Sequence, residues 1–150
     1  MKALSLIQPY ATLIMLGEKR LETRSWQTRH RGPLAIHASV GKPRWAREVC
    51  ETNPYVQAAL EKHGLTFDAL PRGAVLGTAS VGSVALIDQA FADACTPLEY
   101  ACGDYGLGRY AWLLFARKPL AQPIACRGAL SIWEVPAEVV AQIEKEVANG

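Results

Sequence analysis

The sequence predicts a small α+β domain built on a closed or nearly closed β-barrel, and three observations predict it. Several short segments with strand character are separated by glycine and proline turns. Helical segments interrupt those strands early in the chain. One stretch, residues 74–87, is long, rich in small and β-branched residues, and carries Gly77 and Gly82 inside it, as a strand bent or bulged at a barrel corner would.

The elements follow in order. Met1–Ile7 reads as a short strand, which Gln8-Pro9 breaks. Proline suits the first position of a helix, so Tyr10–Leu16 continues as an apolar helix, and Gly17 fits the left-handed position after its end. Lys19–Trp26 alternates polar and apolar residues and reads as a strand, with Arg20, Glu22 and Arg24 on one face and Leu21 and Thr23 on the other. Thr28–Gly32 is a turn. Leu34–Ser39 is a second alternating strand, with His37 opposite the face of Leu34, Ile36 and Ala38. Pro43–Cys50 and Pro54–His63 read as helices opened by proline, and Pro71-Arg72-Gly73 as a turn before the long strand. Residues 88–104 are polar and irregular, with room for one short helix. Tyr110–Ala116 and Ser131–Glu134 are strands, and a closing amphipathic helix covers about residues 136–148.

The 150 residues fit one domain, 1–150, with a sizeable core. Half are hydrophobic and a fifth charged, which excludes a disordered chain. No apolar run approaches the roughly 20 residues of a membrane span, and the N-terminus is too short before Gln8-Pro9 for a signal segment. The expectation is a cytoplasmic protein with no membrane association. The cysteines at 50, 95, 102 and 126 form no zinc spacing, and His30, His37 and His63 are scattered. The sequence therefore points to reduced thiols and to no metal or cofactor.

Net charge is +2, but residues 17–47 hold Lys19, Arg20, Arg24, Arg29, Arg31, Lys42, Arg44 and Arg47 against Glu18 and Glu22 alone. That is either a local footprint for an anionic ligand or a solvated basic face. Lys19, Glu22 and Arg24 are the candidate catalytic set. A lysine can act as base or nucleophile when its pKa falls, a carboxylate can take a proton, and a guanidinium matches phosphate. The bland alternative is a surface ion-pair strand.

Tyr10 and Trp26 offer stacking faces for a base, or belong to the core. Gln8 either caps the helix after Pro9 or reads a base edge. Ser25 and Arg31 flank the motif strand. His37 is either a hydrogen-bonded structural histidine or an acid–base group. Gly103–Tyr110 is a glycine-rich loop from which Tyr105 and Arg109 project toward a ligand, or a plain turn. It is not a dinucleotide fingerprint, and no G-x-S-x-G, Walker or zinc-deaminase motif occurs.

Leu4–Ala11, Gly17–Trp26 with its G-x-K-x-x-E-x-R pattern, Arg31–Ala38, Gly106–Trp112 and Arg127–Glu134 together resemble the ASCH domain family of the PUA-like group, over about residues 3–135. The resemblance implies an α+β fold, a PUA-like small β-barrel flanked by α-helices, with a cleft beside the motif strand that accepts RNA or a nucleotide-like ligand. It implies a ligand-facing set of Lys19, Glu22 and Arg24, with Gln8, Pro9, Tyr10, Ser25, Trp26, Arg31, His37, Tyr105 and Arg109 around it. Family members are associated with RNA binding in transcription coactivators and translation-linked proteins. Some small bacterial members resemble ribonucleases, and another branch removes acetyl from N4-acetylcytidine. That branch carries threonine where this chain has Glu22, and its later catalytic glutamate has no clear counterpart here.

The leading expectation is therefore cleavage of single-stranded RNA. Lys19 and Arg24 would hold the scissile phosphate, Glu22 would orient Lys19 or act as base, and His37 would be in reserve. Binding of RNA without catalysis and hydrolysis of a modified nucleoside are the alternatives.

Overall fold

The computed structural model describes residues 1–149. The chain runs β1 (Lys2–Leu6), α1 (Tyr10–Met15), β2 (Leu21–Arg24), β3 (Gly32–Ala38), α2 (Arg44–Thr52), α3 (Pro54–Lys62), β4 (Ala74–Leu86), α4 (Gln89–Ala94), α5 (Pro97–Ala101), β5 (Tyr110–Ala125), β6 (Ile132–Glu134) and α6 (Ala137–Asn149). The six strands form one mixed sheet in the order β2-β5-β4-β3-β1-β6. β1 and β3 are parallel and every other pair is antiparallel. The sheet curls into a half-barrel, an α+β PUA-like architecture.

Curvature comes from register breaks. β4 slips against β5 between Val75 and Gly77, between Thr78 and Ser80, and between Val81 and Val84. It also slips against β3 opposite Ile36 and His37. The long strand expected over 74–87 is thus present and bent, as extra residues in a ladder require. Gly77 permits the tightest approach: a Cβ there would lie 2.5 Å from both the Lys118 carbonyl oxygen and Met15 Sδ.

Three differences from the sequence reading have physical causes. β5 continues nine residues beyond Ala116, through Pro119 and Pro123. Proline normally stops a strand, but Pro119 faces Gly77 beside a register break. Residues 88–104 hold two short helices rather than one, because Asp88 accepts from the Phe91 N–H at 2.8 Å and Thr96 from the Glu99 N–H at 3.2 Å. β2 is four residues, not eight, because the turn out of α1 occupies residues 17–20.

Leu4, Leu6, Ile14, Leu34, Ile36 and Trp112 fill the space between the sheet and α1. On the opposite face Ala3, Ala35, Val75 and Trp133 pack under α6 through Val139 and Ile143. β3 is therefore covered on both sides, and every residue from Leu34 to Ala38 is buried. A third cluster joins α1 to α2 and α3 through Leu13, Val56, Leu60 and Phe67.

Candidate functional site

Gln8 prepares the site from below. It is fully buried; its Oε1 accepts from the Thr12 N–H at 3.0 Å, and its Nε2 donates to Thr12 Oγ1 at 2.7 Å and to the Pro71 carbonyl at 2.8 Å. These bonds tie Gln8 to the first turn of α1 and to the segment before β4, the helix-capping reading of the two, and Gln8 does not line the cleft described below. Pro9 is buried beside it.

α1 ends where Gly17 turns left-handed at φ 77°, and the N–H groups of Glu18 and Lys19 both donate to the Leu13 carbonyl, at 3.0 and 3.1 Å. This double bond to one carbonyl folds the chain back before β2 begins and sends the Lys19 side chain inward. Lys19 is 1% exposed. Its Nζ donates to the Leu21 carbonyl and, at 2.9 Å, to the Cys102 carbonyl, and lies 3.8 Å from Glu22 Oε1 and 5.9 Å from the Tyr10 ring centre. The ammonium expected to hold a phosphate is thus enclosed by two carbonyls and Glu22, and Lys19 does not line the cleft described below.

Glu22 and Arg24 do share a face of β2. Glu22 Oε1 accepts from the Thr23 N–H at 3.0 Å, and Oε2 accepts from Arg24 Nη2 at 3.1 Å. Arg24 Nη2 also donates to the Ser5 carbonyl at 3.2 Å, tying β2 to β1 across the open side of the half-barrel. Arg20 is not with them. It lies in the turn before β2, exposed, with its backbone N–H donating to Glu99 Oε1.

Glu22 and Arg24 open onto a cleft of about 440 Å³ that Ser5, Tyr10, Ser39, Trp45, Arg109, Leu130 and Ser131 also line. That volume is ample for a small polar ligand. Tyr10 and Trp45 stack 6.3 Å apart at 21°, leaving the half-exposed indole as an outer face. Burial pushes the Tyr10 phenol up to about 12. Arg109 Nε donates to the Asp104 carbonyl at 3.0 Å. The guanidiniums of the cleft wall are each paired, Arg24 with Glu22 at 3.1 Å and Arg109 with the exposed Asp104 carboxylate at 3.6 Å, and Glu22 is also backed by the buried Lys19 ammonium.

Other expected contacts lie elsewhere. Trp26 packs edge-on against Trp112, with centroids 4.9 Å apart at 75°, so it serves the core instead of the cleft. Tyr105 is buried between Phe91 and Tyr100, with stacking distances of 6.4 and 5.6 Å. Arg31 is exposed and braces its own loop through the Thr28 and His30 carbonyls at 2.8 and 2.9 Å. Ser25 is exposed just beyond β2. These three residues and Trp26 are corrected to positions outside the cleft lining.

His37 lines an adjoining hollow of about 400 Å³. The two hollows share Ser5, Ser39, Ala129 and Leu130. Burial pushes the His37 imidazole below its ordinary pKa, against the opposing hydrogen bond to the Cys126 carbonyl. Among the described residues no cluster of His, Cys, Asp and Glu is arranged to hold a metal ion, and no helix is long and apolar enough to cross a membrane.

The sequence reading missed Trp45, Ser5, Ser39 and Ser131. Trp45 carried a signal: an aromatic beside Arg44 on the side of α2 away from buried Ala46 and Cys50. The serines carried none.

Comparison with known proteins agrees with this architecture. The ASCH domain family matches residues 4–127. Activating signal cointegrator 1 of Homo sapiens is 40% identical over 74 residues, which is 49% of this chain and 13% of that protein. The Mus musculus protein of the same name matches with the same figures, so the stretch spans only a small part of these curated relatives. The crystal structure of an ASCH protein from Zymomonas mobilis superimposes with a TM-score of 0.56 at 16% identity, covering 96% of this chain and 93% of that one. A point mutant of that protein gives 0.56 and 96% of both chains. At that identity the likeness shows the fold.

Proposed function

The chain belongs to the ASCH domain family, and from that premise we propose that it binds single-stranded RNA or a nucleotide-like ligand in the cleft beside β2. One observation carries the reading: Glu22 and Arg24 are presented together on a cleft wall beside the Tyr10–Trp45 stack and Arg109. In this reading Arg24 and Arg109 take phosphate oxygens, the Trp45 face stacks a base, and the remaining lone pairs of Glu22 accept from a base or ribose donor. Lys19 fixes the carboxylate from behind.

The test is fluorescence anisotropy with a labelled single-stranded RNA at several salt concentrations. Arg24→Ala and Arg109→Ala should each weaken binding and flatten the salt dependence by about one phosphate contact. Binding by both variants that matches wild type at every salt concentration overturns the assignment.

A ribonuclease-type reading has one observation in its favour, the adjacency of a carboxylate and a guanidinium at 3.1 Å on the cleft wall. Glu22 would accept the proton of a ribose 2′-hydroxyl as that oxygen attacks phosphorus. Arg24 and Arg109 would hold the added negative charge while the 5′-oxygen leaves. RNA cleavage lost in Glu22→Gln supports it, whereas cleavage undiminished in that variant assigns the signal to a contaminant. Acyl chemistry at Lys19, which nucleoside deacetylation would need, finds no support in an amine so enclosed.

A further inference from the structure

Ser5 stands on the wall between the two hollows, and its hydroxyl is held from two sides. Trp133 Nε1 donates to Ser5 Oγ at 3.0 Å. Ser5 Oγ lies 3.0 Å from His37 Nδ1, and His37 Nε2 lies 2.7 Å from the Cys126 carbonyl. A carbonyl only accepts, so Nε2 carries the imidazole proton and Nδ1 is left to accept from Ser5. The Trp133 ring meets the imidazole edge-on, with centroids 5.4 Å apart at 85°, and fixes its plane. A hydroxyl facing a basic nitrogen whose ring is oriented by a third group is the arrangement that activates a nucleophile. Here a backbone carbonyl occupies the orienting position.

The surroundings complete the arrangement. The hollow of about 400 Å³ in front of His37 is lined by apolar atoms of Val40, Ala129 and Leu130, with Arg127 as its cation. Gly128 passes directly over the pair: a Cβ there would lie 2.7 Å from Ser5 Oγ and 2.6 Å from His37 Cε1. Glycine is required for so close a passage. Among the described residues, the N–H groups of Gly128 and Ala129 donate to no backbone carbonyl. Burial lowers the imidazole pKa and so favours the neutral form, the one a base needs.

We propose that Ser5 and His37 form a nucleophile–base pair that hydrolyses short-chain carboxylic esters bound in the Arg127-edged hollow. This activity is separate from RNA binding and does not rest on it. Ser5 Oγ attacks the ester carbonyl carbon while its proton passes to His37 Nδ1. The bond to the alcohol oxygen breaks, and His37 returns the proton to the departing alkoxide. Water then attacks the acyl-serine, giving its proton to His37. The acid is released as carboxylate, and Ser5 recovers its hydroxyl.

The test uses the full chain with p-nitrophenyl acetate and butyrate, following p-nitrophenolate release and mapping acyl adducts by peptide mass spectrometry. The expected result is an adduct on Ser5, with turnover reduced at least about 100-fold in Ser5→Ala and in His37→Gln. Ser5→Cys should keep the acylation as a thioester at residue 5. An unacylated wild-type chain, or adducts scattered over surface lysines, overturns the proposal. So does a folded Ser5→Ala that hydrolyses at the wild-type rate. Adduct mapping on wild type decides the matter even if Ser5→Ala fails to fold.

Discussion

Lys19 Nζ lies 3.8 Å from Glu22 Oε1, with the lysine side chain wholly enclosed and the glutamate side chain 9% exposed. The cation is not among the residues that line the cleft. It compensates the carboxylate from the protein side, so that Glu22 can face a cleft already bordered by Arg24.

Removing that compensation should be costly. Lys19→Met leaves a buried carboxylate without its ammonium and strands the Leu21 and Cys102 carbonyls. A loss of about 3–5 kcal/mol is expected in urea unfolding. The double variant Lys19→Met/Glu22→Gln should recover part of that stability while RNA binding stays weak.

Trp45 should separate binding from folding in the opposite sense. Its side chain is 52% exposed and contributes a free face beside Tyr10. Trp45→Ala should weaken single-stranded RNA binding by about 1–3 kcal/mol, the range of one base–aromatic stack. Its melting temperature should stay near that of wild type. Anisotropy and thermal melts on the same preparation check both.

The pH dependence of stability follows from His37. Ser5, Trp133 and the Cys126 carbonyl surround the ring, and Arg127 is the charged group of that hollow. Burial holds the folded pKa below the ordinary imidazole value of 6.5, so the unfolded chain binds the proton more readily. Stability from this group is complete above the unfolded pKa and is lost as pH falls through 6.5 toward the folded value. Urea midpoints measured from pH 7.5 down to 5 should fall more steeply in wild type than in His37→Gln.

Gly77 should resist any side chain. Its Cβ would meet the Lys118 carbonyl and Met15 Sδ at 2.5 Å and Pro119 Cα at 2.9 Å, two of these being backbone atoms that cannot swing away. Gly77→Ala is expected to cost about 1–3 kcal/mol by overpacking between α1 and the β4–β5 ribbon. A denaturant midpoint equal to wild type would contradict the close approach.

Much of this was legible in the sequence, and the rest was hidden for identifiable reasons. Period-two alternation placed Glu22 and Arg24 on one face, and they meet there at 3.1 Å, although Thr23, assigned to the other face, also borders the cleft. The same alternation assigned Arg20 to that face, because nothing in sequence marks where the turn after Gly17 ends and β2 begins. The inward course of Lys19 depends on two N–H groups sharing the Leu13 carbonyl, a tertiary detail. Trp26 and Trp45 are both tryptophans in basic surroundings. Only the packing partner Trp112 reveals which of them is core. Ser5 acquires its interest from residues 32 and 128 positions away, a juxtaposition that only the sheet creates.

Ser5 also gives its backbone oxygen to Arg24 and its hydroxyl to the imidazole, so one residue serves as a party wall with attachments on both sides. A ligand that draws the guanidinium forward pulls on the peptide unit that aims the hydroxyl. Thermodynamic reciprocity then requires the neighbouring chamber to report back with equal strength. A change of occupancy in one hollow would then be felt in the one that adjoins it through Ser5.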